Sequence, residues 1–346
     1  MPDLARPLRI AMVAPPYFSV PPDGYGGVEA VVAELVDALG VRGHHITLLA
    51  AGAAGTTAAE FLQVAPEAGS LQLGEALPEV LHAARTWQLL RAHPAELVHD
   101  HTLAGALLGP ARAVPTLLTV HGPVSGDLGL VYEALGEAVQ LVALSDHQRS
   151  MSPDLNWVAT VPNAVRVATF PFQEHKDGFA LFLGRFHPEK APHVAIDAAR
   201  AAGVPLLLAG KCSEPLEREY FRTEIEPRLG AGVEVLGMAD STRKRELLSR
   251  ARCLLFPIVW DEPFGLVMVE ALACGTPVVA LRYGAVPEVV RDGVTGIVVD
   301  KESDLPDAIQ ASASLSAHTC RKDAEARFDT TRMASAYEQV YRDLLG

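Results

Sequence analysis

Two carboxylates bracket the most chemically suggestive run of the chain. Glu262 and Glu270 lie eight positions apart in Glu262-Pro263-Phe264-Gly265-Leu266-Val267-Met268-Val269-Glu270. If a helix starts just after Pro263, unpaired backbone N–H groups at Phe264, Gly265 and Leu266 gather at its N-terminus, where partial positive charge accumulates. That makes an anion site. Glu262 then stands beside the anion and Glu270 about two turns along, at about 3.6 residues a turn. A ligand with a charged centre and hydroxyls on both sides suits this layout.

Other polar residues fall just after apolar, strand-like runs, and in open parallel sheets ligands bind outside the carboxyl ends of the strands. Gly184-Arg185 ends one such run and Lys190 follows closely. Arg as a planar fork and Lys as a point charge can together grip a pyrophosphate, although a basic residue taken singly is more often a solvated surface cation. Near the start, Gly24-Tyr25-Gly26-Gly27-Val28-Glu29 leads into a helix-like segment after a proline-rich excursion, Pro15 to Pro22. Glycines at a helix entry let a phosphate approach free amides. The run lacks the third glycine of a dinucleotide fingerprint and does not directly follow the strand, so no nicotinamide cofactor is expected. A tight turn without a ligand suits that run equally well.

His121 follows Thr116 to Val120 and should face a cleft, as a ligand contact or only as a hydrogen-bonded cleft residue. His99-Asp100-His101 invites a metal reading, but strand alternation turns Asp100 away from both histidines and no third ligand is evident, so no metal is expected. The chain has no Asp-x-Asp to hold a divalent cation against a pyrophosphate, no Gly-x-Ser-x-Gly elbow and no GxxxxGK[ST] loop, which argues against serine hydrolases and P-loop kinases.

The elements that must position these groups read as two alternating strand–helix halves. Strands are expected at Leu8 to Ala14, His45 to Ala50, Leu97 to Asp100, Thr116 to Val120 and Gln140 to Leu144, with helices at Val28 to Val41, Pro78 to Ala92 and Leu130 to Ala138. The second half has strands at Phe179 to Gly184, Pro205 to Gly210, Val233 to Gly237, Cys253 to Pro257, Pro277 to Ala280 and Gly296 to Val299. Its helices are expected at Pro192 to Ala202, Arg243 to Ala251 and Leu266 to Ala273. This rhythm predicts an α/β chain of two Rossmann-like domains with parallel sheets, spanning 1–165 and 175–328, with the boundary inside Val161 to Asp177. Thr331 to Leu345 reads as an amphipathic helix seeking a surface to cover.

At 346 residues, two domains are the natural expectation. Ala, Val and Leu supply the apolar mass, since 49% of residues are hydrophobic and only 6% aromatic. A net charge of −13 offers no general field for nucleic acid or anionic lipid, so any phosphate must be held locally. Cys212, Cys253, Cys274 and Cys320 show no CxxC spacing and read as thiols in a reducing compartment. The start, Met1 to Arg9, does not read as a signal peptide, and no apolar run approaches a spanning length of about 20 residues, so a cytoplasmic protein is expected.

Five motifs in order, Gly26-Gly27-Val28-Glu29, Val120-His121-Gly122, Val161-Pro162-Asn163, Gly184-Arg185-Phe186-His187-Pro188-Glu189-Lys190 and Glu262-Pro263-Phe264-Gly265 through Glu270, resemble those of family 4 (GT4, group 1 type) retaining glycosyltransferases over most of the chain. The resemblance implies a glycosyltransferase B (GT-B) fold, an interdomain donor cleft and a C-terminal helix, 331–346, that crosses back to the first domain. It also implies roles. Arg185 and Lys190 would bind the donor diphosphate, helped by amides at Gly26 and Gly27. Glu262 would contact the donor sugar with the Phe264, Gly265 and Leu266 amides nearby, Glu270 would hold the ribose hydroxyls, and His121 would lie against the sugar near the reacting centre. Met238 falls where the family contacts the base. Two positions depart from the pattern: Ala191 stands where glycine is common, and the Pro15 to Asp23 excursion is unusual and leaves the acceptor class open.

The expected reaction is transfer of a hexose from a nucleoside diphosphate sugar to a hydroxyl of a small-molecule, glycan or lipid-linked acceptor, with retention and without metal or other cofactor. UDP-glucose is the first donor by family frequency and GDP-mannose the second. The catalytic set on this reading is His121, Glu262, Arg185 and Lys190. A phosphorylase of the same fold and a noncatalytic sugar-nucleotide-binding protein are the competing readings. No nucleic acid partner is expected. A membrane contact through Arg85, Trp87 and Arg91 is weaker than an ordinary solvated helix face, and the oligomeric state is left open.

Overall fold

A computed structural model describes residues 6–346; Met1 to Ala5, part of the segment read above for a leader, lie outside the described residues. The chain divides into two compact units. The first runs up to Ala164 and includes Thr330–Gly346, and the second is Val165–Asp329.

The first unit contains β1 (Arg9–Val13), β2 (His45–Ala51), β3 (Glu60–Ala65), β4 (Leu97–Asp100), β5 (Thr116–Thr119), β6 (Gln140–Ala143) and β7 (Trp157–Thr160). They form one parallel sheet in the order β3-β2-β1-β4-β5-β6-β7. The second contains β8 (Ala180–Leu183), β9 (Leu206–Ala209), β10 (Val233–Gly237), β11 (Cys253–Phe256), β12 (Val278–Leu281) and β13 (Gly296–Val299), parallel in the order β10-β9-β8-β11-β12-β13. Every residue of β8, β11 and β12 is buried. That is what their unbroken Ala, Leu, Val, Phe and Cys runs require in a parallel sheet covered on both faces.

In each sheet the chain winds outward and then returns past its first strand. The order therefore reverses between β1 and β4 in one unit and between β8 and β11 in the other. Crevices outside the carboxyl ends at such points are where open α/β sheets bind ligands. The segments leaving β1, β4 and β5 carry Gly26, His101 and His121; those leaving β8 and β11 carry Arg185 and Glu262.

The strands expected from the sequence are present with ends shifted by a residue or so. β3 and β7 were not expected. Both are edge strands with one buried side chain each, Val64 and Trp157, so neither carries a strong apolar signal. The helix expected at Leu130 to Ala138 begins earlier, at Gly126, and ends at Leu135. Helices Pro215–Tyr220, Leu305–Ala311 and Ala317–Arg327 were also not anticipated. The last of these buries Ala317, Cys320, Asp323 and Ala324, side chains too small or too polar to show a period.

The last helix, Thr330–Leu345, belongs to the first unit. It buries Met333, Ala334, Tyr337, Val340 and Tyr341. Its Glu338 bonds both Arg42, at the end of helix Gly27–Val41, and Arg342 one turn on. Tyr341 reaches the first sheet itself, with its hydroxyl 2.7 Å from His99 Nδ1 on β4.

Gly210 sets how closely the loops after β8 and β9 approach. A Cβ there would stand 1.6 Å from the carbonyl oxygen of Gly184, while nothing lies within 4 Å of one placed on Gly230. Gly210→Ala should therefore lower the free energy of unfolding measured by urea titration, by about 3 kcal/mol or more. Gly230→Ala should leave it nearly unchanged.

Candidate functional site

The second unit brings most of the expected residues to the carboxyl edge of its sheet. After β8 the chain passes Gly184 and Arg185, then a short turn at Pro188–Lys190 whose entry is capped by the His187 ring. Ala191 closes that turn at φ 48°, the single positive-φ non-glycine position among the described residues. A left-handed alanine costs roughly 1–2 kcal/mol, a physical reason for glycine to be common there.

Lys190 is thereby aimed at Glu262, with which its ammonium forms an ion pair, and it stands 4.9 Å from the centre of the Trp260 ring. Both charged side chains are about 15% exposed. A backbone bond joins the two loops, Val259 N–H donating to Glu189 O at 3.0 Å, and Ala285 N–H, from the segment after β12, donates to Glu262 O at 3.0 Å. Gly284 passes directly beneath, where any side chain would run into the Glu262 backbone.

Beyond Glu262, Phe264 is buried and meets Phe328 edge-on at 5.9 Å. Gly265 takes φ 83° and starts the helix Leu266–Ala273, with no side chain capping its amides. A Cβ on Gly265 would come within 2.6 Å of Met268 Cε. The turn thus demands glycine, and Leu266 opens the helix as expected. Glu270 is buried on that helix, and its Oε1 accepts a 2.6 Å bond from Lys244 of helix Ser241–Arg250. Met238 stands exposed in the loop after the edge strand β10.

Three residues of this unit escaped the sequence reading. Lys211, directly after Gly210, is buried and pairs with Glu214 and Glu217. Glu217 is fully buried and also lies 4.0 Å from the Arg185 guanidinium, whose other carboxylate neighbour is the more exposed Glu189 at 3.8 Å. Lys244 is the third. The rule that singled out Arg185, polar residues just past a strand, also picks out Lys211. Glu214 and Glu217 form a capping box around Pro215, a local pattern legible in sequence.

In the first unit, Gly26 precedes helix Gly27–Val41 at φ 142°, with Pro22 so close that a Cβ would stand 2.9 Å from it, while Gly27 has open space. Glu29 is buried on the first turn, where burial raises its carboxyl to about 7. His121 Nε2 lies 2.9 Å from His101 Nδ1. Asp100 points away from the histidines, as alternation predicts, toward Arg112 and Thr102.

Each unit has the Rossmann strand order, and the second carries cations and carboxylates at its switch point, where open α/β sheets bind ligands. Residues 25–168 match the family described as Glycosyltransferase Family 4, and residues 169–324 match Glycosyl transferases group 1. The phosphatidyl-myo-inositol mannosyltransferase of Mycobacterium leprae is 27% identical over 369 residues, covering 96% of each chain. The alpha-maltose-1-phosphate synthase of Mycobacterium tuberculosis is 30% identical over 348 residues, covering 88% of this chain and 87% of that one. Among solved structures, AviGT4, a glycosyltransferase involved in avilamycin A biosynthesis, superposes with a TM-score of 0.77 at 29% identity, over 98% of both chains. The chain belongs to the GT4 glycosyltransferases. It has their GT-B fold and is a glycosyltransferase. Among the described residues no helix is long and apolar enough to cross a membrane.

Glu217 offers a pH test. Burial pushes its carboxyl up, but the N–H groups of Glu214 and Ser213 and the Lys211 ammonium outweigh this and hold it below its ordinary 4.5. A depressed carboxylate stabilises the fold above the unfolded value, and that contribution is lost as pH falls through the folded value. Denaturant titrations should show wild type losing more stability than Glu217→Gln as pH is lowered below about 4.5.

Proposed function

We propose that this glycosyltransferase moves a hexose from a nucleoside diphosphate sugar to a hydroxyl acceptor, with retention at the anomeric carbon and without a metal. The observation that carries the reading is the Lys190–Glu262 pair, with Arg185 beside it, at the switch point of the second sheet. A diphosphate would take Lys190 and Arg185, and sugar hydroxyls would take Glu262. Glu270, about one turn into its helix, would hold ribose hydroxyls through the oxygen that Lys244 leaves open. Met238 would flank the base, and the amides at Gly26, Gly27, Phe264, Gly265 and Leu266 would support the anion. His121 would address the donor sugar.

Retention by double displacement needs a carboxylate nucleophile and a partner roughly 5–5.5 Å away. Glu262 and Glu270 are each engaged by a lysine, which suits binding better than attack on carbon. A same-face reaction follows, in which the departing phosphate oxygen takes the acceptor's proton while Arg185 and Lys190 meet the charge that develops. UDP-glucose and GDP-mannose are the donors to try first; the name of the M. leprae relative, a mannosyltransferase, supports including the second.

Binding of UDP, GDP, ADP and dTDP sugars, followed by an acceptor screen with the best donor, should give saturable binding and acceptor-dependent release of nucleotide. Arg185→Ala should then cost turnover about 10²–10³-fold with donor binding largely kept. An unchanged turnover number removes Arg185 from the reaction. Phosphate-dependent release of a sugar phosphate without nucleotide points to a phosphorylase instead, and donor binding without turnover to a binding protein.

A further inference from the structure

Three histidine rings of the first unit lie in a row, the inner pair tilted and the outer pair stacked. The ring centres of His99 and His101 are 4.1 Å apart, and those of His101 and His121 are 5.2 Å apart. The inner end is tied down: His99 Nδ1 lies 2.7 Å from the Tyr341 hydroxyl and its Nε2 2.8 Å from Thr119 Oγ1, which in turn lies 2.8 Å from the Tyr337 hydroxyl. His99 and His101 are buried, and His121, at the outer end, is half-buried. Desolvation drives all three imidazoles down, His99 to about 3, His121 to about 4 and His101 well below its ordinary value. At neutral pH each ring is therefore neutral and carries one N–H.

The positions of those hydrogens follow from the partners. His101 Nε2 faces the thioether sulfur of Met12, on β1, at 3.1 Å, and His101 Nδ1 faces His121 Nε2 at 2.9 Å. A thioether accepts weakly and has no hydrogen to give. With the hydrogen on His101 Nδ1, the Nε2 lone pair would be buried against the lone pairs of sulfur, an unmade acceptor that costs free energy. With the hydrogen on Nε2, both contacts are satisfied. His101 Nδ1 then accepts, and the hydrogen it accepts must be the one on His121 Nε2. A neutral His121 whose hydrogen is on Nε2 has a bare lone pair on Nδ1.

We propose that Met12 and His101 are positioning residues that lock His121 in the tautomer with a bare Nδ1, so that His121 takes a hydrogen from a hydroxyl of the donor sugar rather than giving one to its phosphate. This rests on the reading of His121 as a sugar contact. The lock itself does not depend on it. Tyr337 and Tyr341 of the last helix hold the far end of the same row of rings, through His99 and Thr119.

Nitrogen-15 spectra of protein labelled at histidine test the lock without any substrate. His121 and His101 should each show a protonated Nε2 and an unprotonated Nδ1. A His121 protonated on Nδ1 overturns the proposal. Met12→Leu, a volume-conserving change, should relax both rings toward mixed tautomers, whereas a merely structural Met12 would leave the nitrogen signals in place. His101→Asn, whose amide oxygen stands where Nδ1 stood, should keep the His121 pattern, and His101→Leu should lose it.

The functional half is read with donors lacking one sugar hydroxyl at a time. One deoxy donor should lose about tenfold in kcat/KM with wild type, the worth of a single hydrogen bond. That loss should vanish in His121→Ala and persist in His121→Asn, which retains an acceptor near the Nδ1 position. Equal losses for every deoxy donor, with the tautomer in place, would overturn the sugar contact and leave the lock standing.

Discussion

The ion pair between Lys190 and Glu262 is the interaction on which the second unit's site depends. It joins the loop leaving β8 to the loop leaving β11, on the two strands that flank the sheet's reversal of order. The left-handed Ala191, the backbone bond from Val259 to Glu189 and the bare Gly284 under Glu262 all set the position of one end or the other. Breaking such a partly desolvated pair without replacing either partner is costly. On the proposed reading, a sugar nucleotide replaces both at once, its diphosphate taking Lys190 and its hydroxyls taking Glu262. Binding is then an exchange of partners, and a ligand with only one of the two chemistries leaves a charge unmatched.

The same compensation recurs around it. Lys244 neutralises Glu270, and Lys211 neutralises Glu217, the buried carboxylate nearest Arg185. A chain with a net charge of −13 has no broad positive field for a phosphate. Arg185, Lys190, Lys211 and Lys244 instead each face a carboxylate at a fixed place, which keeps them ordered and requires an incoming anion to compete.

Much of this was legible in the sequence because it is local. Apolar runs located the central strands, and the place of Arg185 and His121 just after such runs put them at the carboxyl edge, while Glu262 was found by its spacing from Glu270. Alternation along β4 separated Asp100 from its neighbouring histidines. The fold resemblance rested on motifs whose glycines have visible causes: Gly26 and Gly265 adopt positive φ in tight quarters. What escaped was non-local or weakly patterned. The edge strands β3 and β7 each bury a single side chain. Lys244 meets Glu270, and Met12 meets His101, only once distant segments are packed side by side, and no spacing along the chain announces either pair. Lys211 and Glu217 carried local signals that the charged surroundings obscured.

The exchange of partners is tested most directly by calorimetric titration of free nucleoside diphosphates, UDP and GDP, into wild type and Glu262→Gln. The substitution releases Lys190 from its carboxylate while leaving the loop its backbone bonds. If the diphosphate must compete with Glu262, the variant binds the free nucleoside diphosphate more tightly than wild type, and attaching the sugar no longer improves binding. Weaker binding of the free nucleoside diphosphate by Glu262→Gln than by wild type would contradict the exchange.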